Sequence, residues 1–598
     1  MIYHGYQSRL LRVDLTQGTQ TVEELNAGIV RDFIGGRGLA SKLIFDEVDA
    51  LTEPLSPQNK LIFATGPITG TGAIAGSRYM VVTKSPLTGA IACSNSGGFF
   101  GPEIKFAGFA IIIFEGKSPE PVYLSIMNDD VKLVPAQHLW GKSTVDTEAL
   151  IKSELANVRG SKKPHIVCIG PAGEQLVRMA CVINDHRAAA RSGVGAVMGS
   201  KNLKAVVVKG TGKPTIADQE GFRATQRAFM DAIRSEKKFG LEARKQYGTW
   251  RITEIMLNLG MLPTRNFTAG YLDGMKSIDE IRSEILVKPK SCFACPFYCG
   301  RVTRVRDPEF EGEGEGPEHE SLTQLGPCCG ITDLAAITKA NYLCNELGMD
   351  TISVGVTIAC AMELYEQGHI PESYVPFPIR FGDKHAMVKL VEMIAAREGI
   401  GDLLAEGSLR LAAHYGHPEI SMNTKGQELP ALHPQGYQGL GLAYATSNSG
   451  ACHTRSNLNF STRLETKNQA TQVKQGQDFI AVVDSSGLCW SIFGGLSMLQ
   501  DEVLKQLNLV TGTGYTKETM LLAGERIFNL ERLFNLRAGL TAQDDTLPKR
   551  ILEEPVLTGE AQGQVVRLSE MLPEYYRLRG WDENGVPIPE KLGDLRLS

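Results

Sequence analysis

Residues 291–300, SCFACPFYCG, place Cys292, Cys295 and Cys299 in the spacing C-x-x-C-x-x-x-C. Cysteines this close in sequence are typical of a metal site. Thiolates are soft ligands that select zinc or iron–sulfur clusters. Three ligands leave one position open, so the chain must fold to bring a distant fourth ligand to this segment. If the site holds an iron–sulfur cluster, the protein transfers electrons, and an oxidoreductase is the first hypothesis.

The composition is that of a well-buried globular protein. The chain has 598 residues, 42% hydrophobic and 22% charged, enough for about three to four domains. A net charge of −5 with mixed signs gives no reason to expect nucleic acid or an anionic membrane as partner. Twelve scattered cysteines favour reduced thiols in the cytoplasm over a disulfide framework. No signal peptide is expected, and no apolar run is long enough to span a membrane.

Three regions differ in their patterns. Residues 1–212 are predicted to be β-rich, because β-branched runs at 60–64, 79–83, 109–114, 165–169 and 205–209 are bounded by glycine and proline. Residues 213–425 and 426–598 are predicted to be mainly helical, with the clearest helical spacing at 333–347, 352–367 and 383–397.

Two stretches are predicted to lack helix. Residues 306–320 are too rich in glycine and proline to form one, and most of their carboxylates are expected to be solvated. Residues 434–450 are expected to form a glycine-rich loop.

A second segment extends the cysteine pattern. Residues 484–489, DSSGLC, supply Cys489, and together with 291–300 they resemble the aldehyde ferredoxin oxidoreductase family of tungsten–pterin enzymes. Other segments match that family in the same order: 35–40 (GGRGLA), 83–89 (TKSPLTG), 95–98 (NSGG), 193–204 (GVGAVMGSKNLK), 316–320 (GPEHE), 345–350 (NELGMD) and 443–453 (AYATSNSGACH). The resemblance covers essentially the whole chain. It implies an α+β fold in which a two-sheet, β-rich, cofactor-binding N-terminal domain precedes two mainly helical domains.

The resemblance implies three inorganic groups. Tungsten would lie between two pterins, bound by the dithiolene sulfurs of the cofactor, and Mg²⁺ would bridge the two pterin phosphates. One 4Fe–4S cluster would be ligated by Cys292, Cys295, Cys299 and Cys489. Structural zinc is the alternative that the spacing itself leaves open.

The phosphates and Mg²⁺ would be bound from the β-rich domain. The resemblance places Arg78 and Arg187 at phosphate-binding positions, with Arg191 as a rival to Arg187. Guanidinium groups suit phosphate oxygens. The carbonyls of Asn95 and Ala188 would face Mg²⁺, which takes oxygen ligands. Gly97 matches a position of close backbone approach.

Two related loops would hold the pterin rings. The first, residues 345–350, contributes Asn345, Gly348 and Asp350, and the second, residues 484–489, contributes Asp484, Gly487 and Leu488. The resemblance implies that Arg455 is a further pterin contact. The first loop departs from the family pattern D-x-x-G-L-D, because Asn345 replaces an acid and Met349 replaces leucine.

The resemblance places Glu318 and His453 beside the tungsten as catalytic residues, with Glu320 as the alternative acid. A carboxylate can accept a proton from water or substrate, and an imidazole can hydrogen-bond the aldehyde oxygen as charge develops. Cys328 and Cys329 follow this acid and are expected to pack in the core, since buried free cysteine is common.

The implied activity is oxidation of aldehydes to carboxylic acids. Electrons would leave through the cluster to ferredoxin or a small iron–sulfur subunit, and the enzyme is expected to be oligomeric and cytoplasmic. The motifs leave open which aldehyde is used and whether molybdenum replaces tungsten. Alternatives are a family member acting on glyceraldehyde phosphate, an aromatic thioester reductase subunit, or a non-catalytic electron-relay or zinc-stabilised scaffold subunit.

Overall fold

The computed structural model describes residues 4–155, 163–457, 460–495 and 498–597. Two six-stranded sheets form the N-terminal region. The first sheet consists of β1 (Arg9–Asp14), β2 (Thr19–Glu24), β3 (Leu61–Thr65), β4 (Tyr79–Lys84), β5 (Ile91–Ser96) and β6 (Ile111–Glu115), in the order β2-β1-β6-β3-β4-β5. The second consists of β7 (Val122–Met127), β8 (Asp130–Pro135), β9 (His165–Cys168), β10 (Val182–Asn184), β11 (Arg187–Ala189) and β12 (Leu203–Lys209), in the order β11-β10-β9-β12-β7-β8.

Each sheet contains one parallel pair. β1 pairs parallel with β6 and β7 with β12, whereas the other neighbours are antiparallel. The five strands predicted from sequence correspond to β3, β4, β6, β9 and β12, with ends shifted by at most two residues. Helices among these strands are α1 (Ala27–Phe33), α2 (Gly36–Glu47), α3 (Phe100–Phe106), α4 (Thr144–Glu154), α5 (Pro171–Glu174) and α6 (Val194–Ser200).

The two sheets share a hydrophobic core. Phe63 and Phe114 of the first sheet and Leu124 and Val206 of the second belong to one buried cluster. The opposite face of the first sheet is covered by α2 and by a helix from the far end of the chain, whose Ile527 belongs to a second buried cluster with Ile62 and Ile113 of that sheet. Burial on both sides explains why these strands read as continuous apolar runs.

The rest of the chain is mainly helical. From residue 219 to 366 it forms α7 (Gln219–Ser235), α8 (Leu241–Tyr247), α9 (Trp250–Asn258), α10 (Ile278–Ile285), β13 (Leu286–Lys290), β14 (Gly300–Val305), β15 (Gly312–Glu315), α11 (His319–Gln324), α12 (Leu334–Leu347) and α13 (Thr351–Glu366). It continues with α14 (Lys384–Ala396), α15 (Ile400–Leu404), α16 (Ser408–His414), β16 (Asn423–Thr424), β17 (Gln427–Glu428), α17 (Gln438–Thr446), α18 (Gln469–Ser486) and α19 (Trp490–Phe493). The last helices are α20 (Gln500–Thr511), α21 (Lys517–Arg537), α22 (Lys549–Glu553), α23 (Leu568–Arg579) and α24 (Pro589–Asp594).

The three helices predicted with clear spacing are α12, α13 and α14, each within one residue at either end. Their caps explain the accuracy. Asp333, Asp350 and Asp383 accept hydrogen bonds from backbone N–H groups of the first turns, which satisfies donors that a helix leaves unpaired. No helix in the described part of the chain is both long and apolar enough to cross a membrane.

The prediction of a loop over residues 434–450 was wrong for its centre. Residues 438–446 form α17, and every residue of that helix is buried. A Cβ at Gly439 would lie 2.2 Å from Oε1 of Gln469, and one at Gly441 would lie 2.5 Å from Cγ1 of Val566. These glycines allow neighbouring segments to pack closely on the helix, so tertiary packing overrides their low helix propensity.

The acidic run meets the expectation for most of its carboxylates, since Asp307, Glu309, Glu311 and Glu313 are exposed, and departs from it at Glu315. Residues 312–315 form strand β15, which pairs with β14. Glu315 is buried and lies 3.1 Å from Nη2 of Arg187 and 3.0 Å from Nζ of Lys290. At least one carboxylate of the run is therefore part of a buried ion pair and is not solvated.

Glycines of the N-terminal region bring the end of α18 against the first sheet. A Cβ at Gly36 would lie 2.6 Å from the carbonyl oxygen of Asp484, and a Cβ at Gly66 would lie 2.1 Å from the carbonyl carbon of Ser486. Glycine permits another group to approach the backbone closely. Here the approaching group is another backbone segment of the same protein. This close approach fixes the second loop beside the sheets.

Candidate active site

A cavity of about 280 Å³ lies where the β-rich region meets the helical regions. Its wall contains many of the residues predicted to be functional: Arg78, Asn95, Ala188, Glu318, Asp350, His453, Arg455 and Asp484, together with the rivals Arg191 and Glu320. These residues come from both sheets, from the starts of α11 and α13, and from the end of α18. The fold thus gathers segments that lie hundreds of residues apart in sequence.

The two cysteine-bearing segments meet at Ala75. Its carbonyl accepts a hydrogen bond from the N–H of Cys489 (3.1 Å), and its N–H donates to the carbonyl of Ala294 (3.4 Å), between Cys292 and Cys295. The fold therefore brings the segment of the predicted fourth ligand to the 291–300 segment, as the spacing requires.

Arg78 connects the cysteines to the cavity. Its Nη2 donates to Sγ of Cys489 (3.0 Å) and its Nη1 to Oδ1 of Asn95 (3.0 Å). Burial by itself lowers the pKa of Arg78. The negative charge of the neighbouring cysteines, Cys489 first and then Cys292, acts in the opposite direction, and the net result is a raised pKa. A Cβ at Gly97 would lie 3.0 Å from Sγ of Cys292 and 3.3 Å from Cζ of Arg78. Gly97 therefore leaves room for the cysteine segment and the guanidinium to pack together.

The acids and the imidazole of the cavity form one group. Nδ1 of His453 lies 3.5 Å from Oε1 of Glu320, whose Oε2 accepts a hydrogen bond from the N–H of Ala431 (2.7 Å). Glu318 stands at the N-cap position of α11 and accepts a hydrogen bond from Thr249. Its Oε1 lies 3.4 Å from Nη1 of Arg187. The imidazole of His453 is thus paired with Glu320. Glu318 instead lies beside the guanidinium of Arg187 and the hydroxyl of Thr249.

Burial has opposite effects on the two members of the pair. It raises the pKa of Glu320. Burial first, and then the charge of Arg191, lower the pKa of His453 to about 3. The imidazole is therefore neutral near pH 7, and Glu320 retains its proton to a higher pH than an exposed glutamate would.

Comparison with known proteins decides the family. The sequence profile of the aldehyde ferredoxin oxidoreductase N-terminal domain matches residues 10–210, and the profile of domains 2 and 3 matches residues 225–597. The chain belongs to the aldehyde ferredoxin oxidoreductase family. The family predicted from the sequence motifs is confirmed.

Relatives align over the full length. The tungsten-containing aldehyde ferredoxin oxidoreductase of Pyrococcus furiosus is 46% identical over 611 aligned positions, covering 100% of this chain and 99% of the relative. The protein of that name from Thermococcus kodakarensis has the same identity and coverage. Among solved structures, the active site complex BamBC of benzoyl coenzyme A reductase, in complex with 1,5-dienoyl-CoA, matches with a TM-score of 0.88 at 26% identity, covering 100% of this chain and 98% of that chain. The predicted α+β fold class is confirmed.

The two rival arginines of this family member have different environments. Arg187 does not line the cavity. Its guanidinium lies beside Glu315, and its Nη2 would be 2.1 Å from a Cβ added to Gly300. Arg191 does line the cavity, with Nε 3.2 Å from Oδ2 of Asp350. Its Nη1 is buried without a hydrogen-bond partner in the described ranges, so Arg191 has an unused donor where an anion could bind.

The second loop is embedded in a buried network of charges. Oδ2 of Asp484 accepts a hydrogen bond from Nη1 of Arg455 and lies 3.4 Å from Nη1 of Arg37, and its Oδ1 accepts from Nδ2 of Asn95 (3.1 Å). Arg37 also forms two hydrogen bonds with Glu531 (2.8 and 2.7 Å). All these groups except Asn95 are fully buried.

The first loop has a different polar environment. Nδ2 of Asn345 donates to the carbonyl oxygen of Glu315 (3.0 Å). Asp350 caps α13 and accepts a hydrogen bond from the hydroxyl of Ser353 (2.8 Å). Four predicted residues of the two loops do not line the cavity: Asn345, Gly348, Gly487 and Leu488. The side chain of Leu488 is buried in the core.

Several residues of the site were missed by sequence reasoning. Arg37 stands in the quoted segment GGRGLA, and a charged residue among glycines next to an apolar helix could have been noticed. Glu531 and Thr249 lie in ordinary helical surroundings and carry no local signal. In the described part of the chain, no three His, Cys, Asp or Glu side chains are arranged to hold a single metal ion.

Proposed function

We propose that this protein oxidises aldehydes to carboxylic acids at the cavity described above, using a tungsten bis-pterin cofactor, Mg²⁺ and one 4Fe–4S cluster. The observation that carries the proposal is the position of Arg78. One nitrogen of its guanidinium contacts Asn95 in the cavity wall and another contacts Cys489. The cavity and the cysteine site thus share one wall, as a two-electron reaction centre next to an electron exit requires.

The residues present fit these groups. Four thiols, Cys292, Cys295, Cys299 and Cys489, would bind the cluster, since cysteine thiolates are its usual ligands. The same four thiols also suit zinc, and elemental analysis distinguishes the two groups. The buried free donor of Arg191 and the guanidinium of Arg78 would bind pterin phosphates.

When bound, the tungsten–pterin group would take up the two electrons that leave the aldehyde carbon, and the cluster would pass them on singly. The neutral imidazole of His453 would donate a hydrogen bond to the aldehyde oxygen, where negative charge develops. Glu318 would accept a proton from the attacking water or from the substrate. Glu320, whose pKa burial raises, would hold a proton next to His453.

Partners and location are part of the same proposal. The electron acceptor would be ferredoxin or a small iron–sulfur subunit, and the structural match is to a protein named as a complex, BamBC. All twelve cysteines are free thiols, which supports a reducing, cytoplasmic setting. Domain boundaries at residues 212 and 425 remain predictions. The high identity to tungsten-containing aldehyde oxidoreductases favours aldehydes over aromatic thioesters.

The first experiment combines elemental analysis with a dye assay. We expect tungsten and about four iron atoms per chain, and reduction of benzyl viologen with members of an aldehyde panel but not with 1,5-dienoyl-CoA, the electron-donating partner of a benzoyl-CoA reductase. Cys292→Ala should abolish the cluster's electron paramagnetic resonance signal, whereas Cys328→Ala, at a buried thiol that does not line the cavity, should retain it. Zinc without tungsten or iron would refute the proposal.

A second experiment separates the two acids. Glu318→Gln should lower kcat by about 10²-fold or more, the range expected of a general base, with tungsten content unchanged. Glu320→Gln keeps a hydrogen-bonding group next to His453 and should lower kcat about tenfold or less. The reverse order would assign the base to Glu320.

A further inference from the structure

A groove of about 510 Å³ lies beside the cysteine segment. Phe293, which follows Cys292 directly, forms part of its wall, as do Phe106 and Gln226. The groove shares no lining residue with the cavity, so a molecule bound in it would contact the cysteine segment without entering the reaction site.

The wall of the groove is basic. It includes Lys213, Arg223 and Arg227 and no acidic residue. All three cations are exposed, and none of them forms an ion pair with another residue of the described ranges. The nearest acids in sequence, Asp218, Glu220 and Asp231, do not line the groove.

Helix α7 holds these charges in place. Arg223 and Arg227 are four residues apart and thus lie on one face of the helix. Phe222, Phe229 and Ile233 of the same helix are buried in the core. Because the apolar side of the helix is anchored, the two guanidinium groups are presented to solvent at a fixed position.

The part of the groove next to the thiols is aromatic. The ring of Phe293 lies 5.8 Å from that of Phe106 and 6.3 Å from that of Phe99. The next residue, Ala294, is exposed and directly precedes Cys295. An apolar floor with a charged rim is the usual anatomy of a protein interface, and here the cysteine segment itself reaches the protein surface.

We infer that this groove is the docking site of an acidic one-electron carrier protein containing an iron–sulfur centre. The inference rests on the proposed function, because only a cluster bound by the four cysteines would give such a partner electrons to collect. One aldehyde and one water yield one carboxylic acid, two protons and two electrons, and two oxidised carriers each take one electron. Basic residues at the rim attract an acidic partner and raise its rate of association.

The test is the charge-reversal double variant Arg223→Glu/Arg227→Glu of the holoenzyme, with an acidic 4Fe–4S ferredoxin as the probe. We expect its Kd, measured by titration calorimetry at low salt, and its KM as acceptor both to rise about tenfold or more. The difference from wild type should shrink when salt screens the charges, because the Debye length falls to about 3 Å at 1 M. Reduction of benzyl viologen, a small cation, should change less than twofold.

Arg577→Glu is the matched control, since Arg577 is an exposed arginine that does not line the groove; it should bind the ferredoxin like wild type. Unchanged ferredoxin affinity in the double variant would overturn the inference, even if aldehyde oxidation with viologen is normal. So would a loss of ferredoxin affinity of the same size in Arg577→Glu. Failure of the proposed function would look different, because viologen reduction would then be absent from wild type.

Discussion

The first loop (345–350) and the second loop (484–489) share a backbone design and differ in charge. Each follows a long helix that ends at a left-handed glycine, Gly348 with φ 80° and Gly487 with φ 86°. Each then docks on the β-rich region through its backbone. The carbonyl of Gly348 accepts from the N–H of Cys181 (2.8 Å), and the carbonyl of Gly487 accepts from the N–H of Arg78 (3.1 Å).

The difference lies in the side chain that opens each loop. Asn345 makes a neutral hydrogen bond to a strand backbone, whereas Asp484 holds two buried arginines. The first loop is therefore held by a neutral hydrogen bond at its first residue and by one ion pair at its last, Asp350 with Arg191. The second is held at its first residue by an ion network next to Cys489. Similar loop geometry thus does not imply similar energetics.

The largest expected effect comes from removing the charge of the second loop. Asp484→Asn would leave Arg455 and Arg37 without their shared carboxylate, and breaking a buried ion pair on one side destabilises by about 3–5 kcal/mol. Asn345→Ala should cost only about 1 kcal/mol, because Asn341 also donates to the carbonyl of Glu315 (2.9 Å). Urea unfolding followed by tryptophan fluorescence would measure both, and equal losses would contradict the comparison.

The next largest effects on stability are expected from alanine substitutions at the two left-handed glycines, Gly487 and Gly348. Alanine at either position would meet left-handed strain of about 1–2 kcal/mol. At 487 its Cβ would also lie 2.1 Å from Oγ1 of Thr69, which is held by hydrogen bonds to Arg78 and Gly66. Overpacking adds about 1–3 kcal/mol, so we expect a loss of about 3 kcal/mol for Gly487→Ala in urea unfolding.

Gly348→Ala should lose less, about 2 kcal/mol, since its nearest neighbour, the N of Gly170, would lie 2.8 Å away. Gly72→Ala is the matched control. Its φ is +87° and nothing lies within 4 Å of an added Cβ, so it should show the strain alone. Equal losses at all three positions would mean that packing contributes nothing to the difference.

The smallest expected effect is on pH dependence at His453, which is influenced by Asp350 of the first loop and by Arg455, the partner of Asp484. Its pKa is lower in the folded protein than the ordinary 6.5, so its contribution to stability is complete above that value and is lost as the pH falls toward 3. At pH 5 the loss is about 2 kcal/mol. Thermal unfolding at pH 5 and pH 8 should therefore show a weaker pH dependence in His453→Gln than in wild type.

The raised pKa of Glu320 acts in the opposite direction. Its contribution is complete below the ordinary pKa of a glutamate and decreases as the pH rises, and it is present in both proteins. His414→Gln, at an exposed histidine that does not line the cavity, is the matched control. An unaltered slope in His453→Gln would show that folding does not lower the pKa of this imidazole.

Sequence reasoning succeeded where the controlling interactions are local. The caps Asp333, Asp350 and Asp383 lie within three residues of the N–H groups that they satisfy, so the ends of α12, α13 and α14 could be predicted. It failed at α17, because glycine content signals a loop only when packing does not favour a helix. Side chains from elsewhere occupy the space beside Gly439 and Gly441, and no local pattern reports them.

By itself, the sequence determined the cysteine spacing, five strands of the β-rich region, three of the helices and, through its ordered motifs, the family. Only the tertiary structure placed Arg78 between Cys489 and the cavity and joined Arg37 to Glu531, 494 residues away. It also showed that the imidazole of His453 lies beside Glu320. The physical reason is that caps, periodicity and ligand spacing act over a few residues. Ion pairs and pKa shifts depend on burial and on which distant groups the fold brings together.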